Sequence, residues 1–347
     1  MTSPADAPFL AACRGEVPRH TPVWFMRQAG RSLPEYRAIR GEGSILGAIR
    51  QPELAAEITL QPVRRYGVDA AVLYSDIVVP VHAIGVGVDV APGTGPVVRE
   101  PFRCAQDLDR LRPLEPEQDT PYVIETVRLL ARELDVPLIG FAGAPFTVAS
   151  YLVEGRPSKA RSATKALMYG ETSLWHELLD RLADHAIASL RSQVDAGAQA
   201  VQLFDSWAGD LSRPDYGRYV QPHSAKVLAA MADLGVPRIH FGLGTGELLG
   251  AMATAGADVV GVDWHTTLDD ARARLPEGVG VQGNLDPAVC LCPWDVVEPK
   301  VLEVLTSNGG RPGHVFNLGH GVLPDTDPAI LERVVETVHA WSPSATA

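Results

Sequence analysis

Eight short apolar runs of β-type residues, separated by longer stretches with helical spacing, constrain the fold of this chain more than any other feature. The runs lie near 23–26, 70–75, 137–142, 200–205, 238–242, 259–263, 279–283 and 314–318. Apolar residues recur at helical intervals over 122–134, 174–195, 216–234 and 327–340. Such alternation requires a parallel α/β sheet, and eight units predict one (β/α)8 TIM barrel, a single domain spanning 1–347. The longest interruption, about 77–136, is an extended insertion between strands two and three. Its start, Val81 to Arg103, reads as a β-ribbon turning at Pro92-Gly-Thr-Gly-Pro96. The rival doubly wound sheet lacks its signal, because no G-x-G-x-x-G follows the first strand. Gly242-Leu-Gly-Thr-Gly246 has the wrong spacing for that fingerprint and reads as a tight βα turn. Val136 to Val153 carries no charge and has nearly the length of a membrane helix. Pro137, Gly140, Gly143 and Pro145 interrupt it, so strand, loop and helix is the better reading.

Composition excludes several classes of function. Apolar content of 46% and charged content of 21% fit a globular protein with a large core. A formal net charge of −12 argues against non-specific nucleic-acid binding. It does not exclude an acidic substrate, because salt screens charge beyond about 8 Å and the local field decides. Residues 14–50 hold seven Arg against three Glu, although a chain with only four Lys simply favours Arg. Cys13, Cys104, Cys290 and Cys292 form no C-x-x-C pair and read as reduced thiols rather than disulfides or zinc ligands. The N-terminus shows no signal-peptide pattern, so a cytoplasmic location is expected.

In a (β/α)8 barrel the chemistry sits at the C-terminal strand ends. Here those ends carry Arg27, Asp76, Phe141 with Tyr151 beyond a turn, Asp205-Ser206, Asp263, Asn284 and His320. None of the four Lys lies at a strand end, so a Schiff-base mechanism lacks its nucleophile. No phosphate-gripping loop follows strands seven and eight. The segment Pro22 to Arg37 sends a strand into Arg27 and Arg31. Ser32, Pro34 and Glu35 then resemble a capped helix start. Two readings stand. Two guanidinium groups and a helix N-terminus can form an anion site. Alternatively, both arginines lie on the surface, paired with Glu35 and Glu42.

Trp24-Phe-Met-Arg-Gln-Ala-Gly-Arg-Ser-Leu-Pro-Glu-Tyr36 closely resembles the N-terminal signature of the uroporphyrinogen decarboxylase family. Gly140-Phe-Ala-Gly-Ala-Pro-Phe-Thr-Val-Ala-Ser-Tyr-Leu-Val-Glu-Gly155 looks like that family's other signature. Tyr74 to Ile77, Gln202 to Gly209 and Phe316 to Gly321 also match, in order, across nearly the whole chain. The resemblance implies removal of four acetate carboxyls from uroporphyrinogen III, giving coproporphyrinogen III, with no cofactor and no metal, in haem synthesis. It also implies a homodimer; no nucleic-acid or membrane partner is expected.

The implied chemistry suits the residues. A pyrrole protonated on a ring carbon becomes its own electron sink for CO2 loss. The site then needs cations for carboxylates, a proton donor, and an anion facing the pyrrole N–H groups. The resemblance puts the substrate-binding loop on Arg27, Gln28, Ala29, Gly30 and Arg31. It puts the cation-stabilising aspartate on Asp76 and further substrate contacts on Tyr151, Ser206 and His320. It also casts Arg27 as a catalytic group and proton donor, although arginine is a poor acid at neutral pH.

Each residue has a plainer reading: Asp76 or Ser206 as a helix cap, Tyr151 as a core tyrosine. Asp263 and His265 read as structural or supporting groups, and Asn284 receives no role. A zinc-dependent corrinoid-linked methyltransferase of the same superfamily is an alternative, but His240-Phe241-Gly242 lacks the cysteine of its H-x-C motif. A non-catalytic tetrapyrrole carrier is a second alternative. Asp76 argues against it, because burying a carboxylate opposite pyrrole N–H groups is costly unless charge develops there.

Overall fold

The computed structural model describes residues 7–41, 43–91 and 93–342. Proline opens many of its helices, among them Pro34–Arg40, Pro52–Tyr66, Pro121–Glu133, Pro145–Glu154 and Pro328–Ala340. Its fixed φ suits the first helical turn and its missing N–H is not needed there. The strands are β1 (Ala71–Val72), β2 (Val88–Ala91), β3 (Gly95–Val98), β4 (Leu138–Gly143), β5 (Ala200–Asp205), β6 (Arg238–Gly242), β7 (Val259–Gly261), β8 (Gly280–Gln282) and β9 (His314–Val315). Seven of them form one curled parallel sheet in the order β1-β4-β5-β6-β7-β8-β9. Its register includes Ala71 opposite Leu138, Ile139 opposite Ala200, Ile239 opposite Val259 and Val281 opposite His314.

The expected first strand appears as a single bridge, Val23 beside Phe316 in parallel. It nevertheless bonds to residues flanking both outer strands. Phe316 N–H donates to Pro22 O at 2.8 Å, and Asp69 N–H donates to Val23 O at 2.8 Å. Inside the curled sheet, Trp24 Nε1 donates to Gln282 Oε1 at 3.0 Å and Gln282 Nε2 donates to Gln202 Oε1 at 2.9 Å. All three side chains are buried, and these bonds offset the cost of placing amides in the core.

Three local expectations change. The ribbon is shorter than Val81 to Arg103: residues Val79–Ala83 form a helix, and the antiparallel hairpin pairs only Val88–Ala91 with Gly95–Val98. Pro80 in the first turn and the backbone carbonyl of Asp76, which accepts Val79 N–H at 3.1 Å, favour that helix. Pro92 of the expected turn lies outside the described residues. The hairpin packs on the helix Pro145–Glu154, with Val98 N–H donating to Gly155 O at 2.8 Å.

Second, the capping box at Ser32 does not form. The helix begins at Pro34, so its cap falls on Leu33 with no side-chain bond, and Glu35 reaches Arg65 instead. Third, 216–234 is not one helix but Arg213–Tyr219, Gln221–Ala229 and a 3-10 turn at Ala232–Leu234. The uncharged stretch 136–153 does resolve into β4 and the helix Pro145–Glu154. Gly244, at φ +69°, makes the tight turn after β6. No described helix is long and apolar enough to cross a membrane.

Candidate active site

Arg27 follows the bridging segment in a left-handed conformation, φ +59°. For a residue with a Cβ this costs about 1–2 kcal/mol, so the surroundings must impose it. They do so through the backbone on both sides. Met26 N–H donates to Asn317 Oδ1 at 3.0 Å, and Val322 N–H donates to Met26 O at 2.8 Å. Gln28 is buried, accepting Phe25 N–H at 3.0 Å and donating to Ala70 O at 3.1 Å. Its amide is committed to the loop backbone, so Gln28 shapes the loop. Gly321 completes the mould, because a Cβ there would lie 2.7 Å from Arg27 Cγ. The Arg27 side chain therefore lies flush against the Gly-His-Gly turn after β9.

Asp76, just beyond β1, faces this arginine. One carboxylate oxygen accepts Val78 N–H at 3.0 Å, but the helix Val79–Ala83 has Val78 as its cap with no side-chain bond, so Asp76 is not that helix's cap. Burial pushes its pKa up, while the Val78 bond and the Arg27 charge pull the other way; the net shift is upward. An ionised Asp76 is thus under-compensated, as a carboxylate awaiting positive charge should be.

Tyr151, on the helix Pro145–Glu154, is the third member. Burial first and the Asp76 charge second push its phenol up to about 12, with Arg27 and Arg161 opposing. It remains a neutral hydroxyl at physiological pH. His320 is the fourth. Burial, then the Arg27 charge, lowers its pKa to about 4, against the pull of Asp263. Its imidazole is therefore neutral near pH 7. Arg27, Asp76, Tyr151 and His320 are brought together, each felt electrostatically by at least one other.

Arg31, Ala29 and Gly30 lie on the same loop, and Arg31 is exposed, its carbonyl held by Arg37 Nη1 at 2.7 Å. Of the surface-pair reading, Glu35 is taken by Arg65, and Glu42 lies outside the described residues. Among the described residues neither Arg27 nor Arg31 forms a salt bridge. Ser206 is half-buried in the turn after β5. Asp263 accepts the N–H groups of Gly244 and His265 and the His265 ring at 2.9 Å. Asn284 donates to the carbonyls of Asp263 and Thr266 at 2.8 and 2.6 Å. These three tie loops together.

Two neighbours were not anticipated. The Trp207 ring lies against Tyr151, tilted by 40° with centroids 4.0 Å apart, and the Arg161 guanidinium lies 4.4 Å from the Trp207 ring centroid. Arg161 also pairs with Asp210. Trp207 follows Ser206 directly and was open to suspicion, whereas Arg161 sits in a stretch with no pattern to mark it. His240, the candidate for the H-x-C motif, is buried with Nε2 3.8 Å from an Asp205 oxygen, and it belongs to no described His, Cys, Asp and Glu group that could hold a metal.

A curled parallel sheet with arginines, a desolvated aspartate and a neutral histidine at its strand ends defines an α/β enzyme scaffold suited to a polycarboxylate. The sequence comparisons give the particular family. Residues 4–341 match the family described as Uroporphyrinogen decarboxylase (URO-D), and the chain belongs to it. It is 64% identical to a Salinispora tropica protein named uroporphyrinogen decarboxylase, covering 97% of this chain and 91% of that relative. A Streptomyces coelicolor protein of the same name is 61% identical, covering 97% and 95%. Among solved structures, a methyltransferase from Methanosarcina mazei shares the fold at TM-score 0.77 and 21% identity, covering 95% and 96%. A B12-independent methionine synthase from Shewanella reaches 0.56 at 12% identity, covering 83% and 87%. Those likenesses speak for the fold alone.

Proposed function

We propose that this chain decarboxylates uroporphyrinogen III to coproporphyrinogen III, converting four acetate arms to methyl groups with release of CO2. The observation that carries the reading is the meeting of Arg27 and a desolvated Asp76 at one end of the sheet, in a member of this family. A ring carbon takes up a proton and the pyrrole becomes an iminium-like cation. The acetate C–C bond then breaks, its electrons flow into the ring, and CO2 leaves. A second proton completes the methyl group and the ring proton is lost. For each arm, one carboxylate and one proton yield one methyl and one CO2, so no external oxidant or cofactor is required.

Asp76 accepts the pyrrole N–H groups and stabilises the cation, a charge that exists only after protonation. Arg27 and Arg31 hold substrate carboxylates, and Arg27 also has the proton-donor role that the resemblance gives it. Tyr151 offers a neutral hydroxyl, and neutral His320 can donate or accept a hydrogen bond without adding charge. Ser206 closes the substrate-binding set.

We also infer that the segment near 23–26 is the first strand of a (β/α)8 barrel, since its start bonds to Asp69 and Phe316, which flank the two outer strands of the sheet. The β2–β3 hairpin then belongs to an insertion between strands two and three of a single domain. A homodimer and a cytoplasmic location accompany this reading. The test is anaerobic incubation of the purified, metal-stripped protein with uroporphyrinogen III. Sequential loss of four CO2 supports it. Recovery of unchanged substrate under conditions where the protein binds it would favour a carrier, and activity that appears only on adding zinc would favour the methyltransferase-type alternative.

A further inference from the structure

At the other end of β1 from Asp76, three side chains from distant parts of the chain converge. Asp69 precedes the strand, His20 comes from the N-terminal segment, and His339 lies in the last turn of the helix Pro328–Ala340. His20 Nε2 stands 2.7 Å from Asp69 Oδ1, and His339 Nε2 stands 2.8 Å from Asp69 Oδ2. One atom from each residue lies within 4.8 Å of the others, and no other described trio of His, Cys, Asp or Glu converges in this way. The imidazole centroids are 4.2 Å apart.

We propose that His20, Asp69 and His339 bind one first-row divalent cation, Zn2+ being the best match. Two imidazoles and one carboxylate form a borderline donor set that suits Zn2+ or Co2+ and disfavours Mg2+ and Ca2+. Zinc bonds of about 2.0–2.2 Å in a tetrahedron separate the donor atoms by roughly 3.3 Å. The two close contacts must open by about half an ångström, and the third separation, within 4.8 Å, must close towards that value. Each imidazole must present an Nε2 lone pair to the ion, so a proton on Nε2 moves to Nδ1 or leaves on binding.

Asp69 is held in place because Val23 N–H donates to its Oδ2 at 2.8 Å. The histidine side chains retain 15% and 29% exposure, which leaves a path for an ion and for water as fourth ligand. Such an ion would fasten the first segment, the entry to β1 and the final helix into one joint. It lies at the N-terminal strand ends, away from the chemistry, so its effect is on stability.

The test uses the full, untagged chain, stripped of metal and titrated with Co2+ and Zn2+. One equivalent of Co2+ should give the visible bands of a four-coordinate site, and Zn2+ should abolish them. Zn2+ should also raise the unfolding temperature without changing kcat. H20Q and H339Q, with circular dichroism checking that both fold, should each weaken binding by at least about 100-fold. Imidazole NMR signals of the unaltered protein give a readout independent of any variant: Zn2+ should shift two of its ten histidines. Absence of saturable one-equivalent binding, equal binding by the folded variants, or Zn2+ shifts at other histidines would overturn the proposal.

Discussion

Asp69 and Asp76 stand at the two ends of the same strand, and they are used in opposite ways. Asp69 accepts hydrogen bonds from Val23 N–H and from two histidines. Burial alone would raise its pKa, but those bonds outweigh it and hold the carboxyl below the usual range. Asp76 accepts one backbone bond, feels Arg27, and is still pushed up by burial. A buried carboxylate whose partners are all in the fold holds the fold together. A half-buried one with a single backbone bond is under-compensated when ionised, costs stability near neutral pH and is available for a substrate. Position agrees with this division: Asp69 lies before β1, at its N-terminal end, and Asp76 lies beyond its C-terminal end, the end where such barrels place their chemistry.

The comparison can be broken from either side. Gly321→Ala should have the largest effect short of altering Asp76 itself. The new methyl would displace Arg27, and kcat should fall by about 100- to 1,000-fold, the scale for losing one preorganised charged donor. Near-normal kcat with a displaced Arg27 would remove that side chain from the reaction. Arg31→Ala should raise KM about 10- to 100-fold, since a charge-assisted bond contributes roughly 1.5–3 kcal/mol. Unchanged kinetics would take Arg31 out of the site.

Asp69→Asn should do the reverse. It should lower unfolding free energy by roughly 1.5–3 kcal/mol per charged bond lost, measured in denaturant, while leaving kcat unaltered. Equal stability of variant and parent would show that the joint does not hold the fold.

The smallest effect concerns pH. The unfolded chain protonates histidine near 6.5, but His320 takes up its proton only near 4, as do His223 and His314. Below pH 6.5 the unfolded state binds more protons, so stability falls as pH drops from about 6.5 towards 4 and the loss levels off below that. His320→Asn should shallow the slope by at most about 1.4 kcal/mol per pH unit. An unchanged slope would contradict a neutral His320.

The parallel strands were legible because both faces of such a sheet are covered, so each strand reads as an unbroken apolar run. The strand-end residues Arg27, Asp76 and His320 followed from that placement. The first strand was legible as a segment, although its pairing reduces to one bridge at Val23 and a few bonds to Phe316 and Asp69. What was lost depends on contacts between remote positions. Glu35 looked like half of a capping box, yet Arg65 claims it from the next helix. Arg161 enters the site by lying over Trp207, a neighbour that no spacing discloses. The convergence of His20, Asp69 and His339 requires three stretches that only the tertiary fold brings together. Val79–Ala83 was absorbed into a ribbon because a five-residue helix with two valines carries no periodic signal.

The most direct test of the division between the two aspartates is Asp76→Asn, assayed by single-turnover decarboxylation beside porphyrinogen binding and denaturant unfolding. The shape and one acceptor remain, the charge is lost, and the burial penalty of the charge goes with it. The variant should unfold no more easily than the parent, bind the porphyrinogen, and lose far more in kcat than in affinity. Turnover at the parental rate would contradict charge stabilisation by Asp76, and failure to bind at all would make it a binding residue and leave the ring cation without its anion.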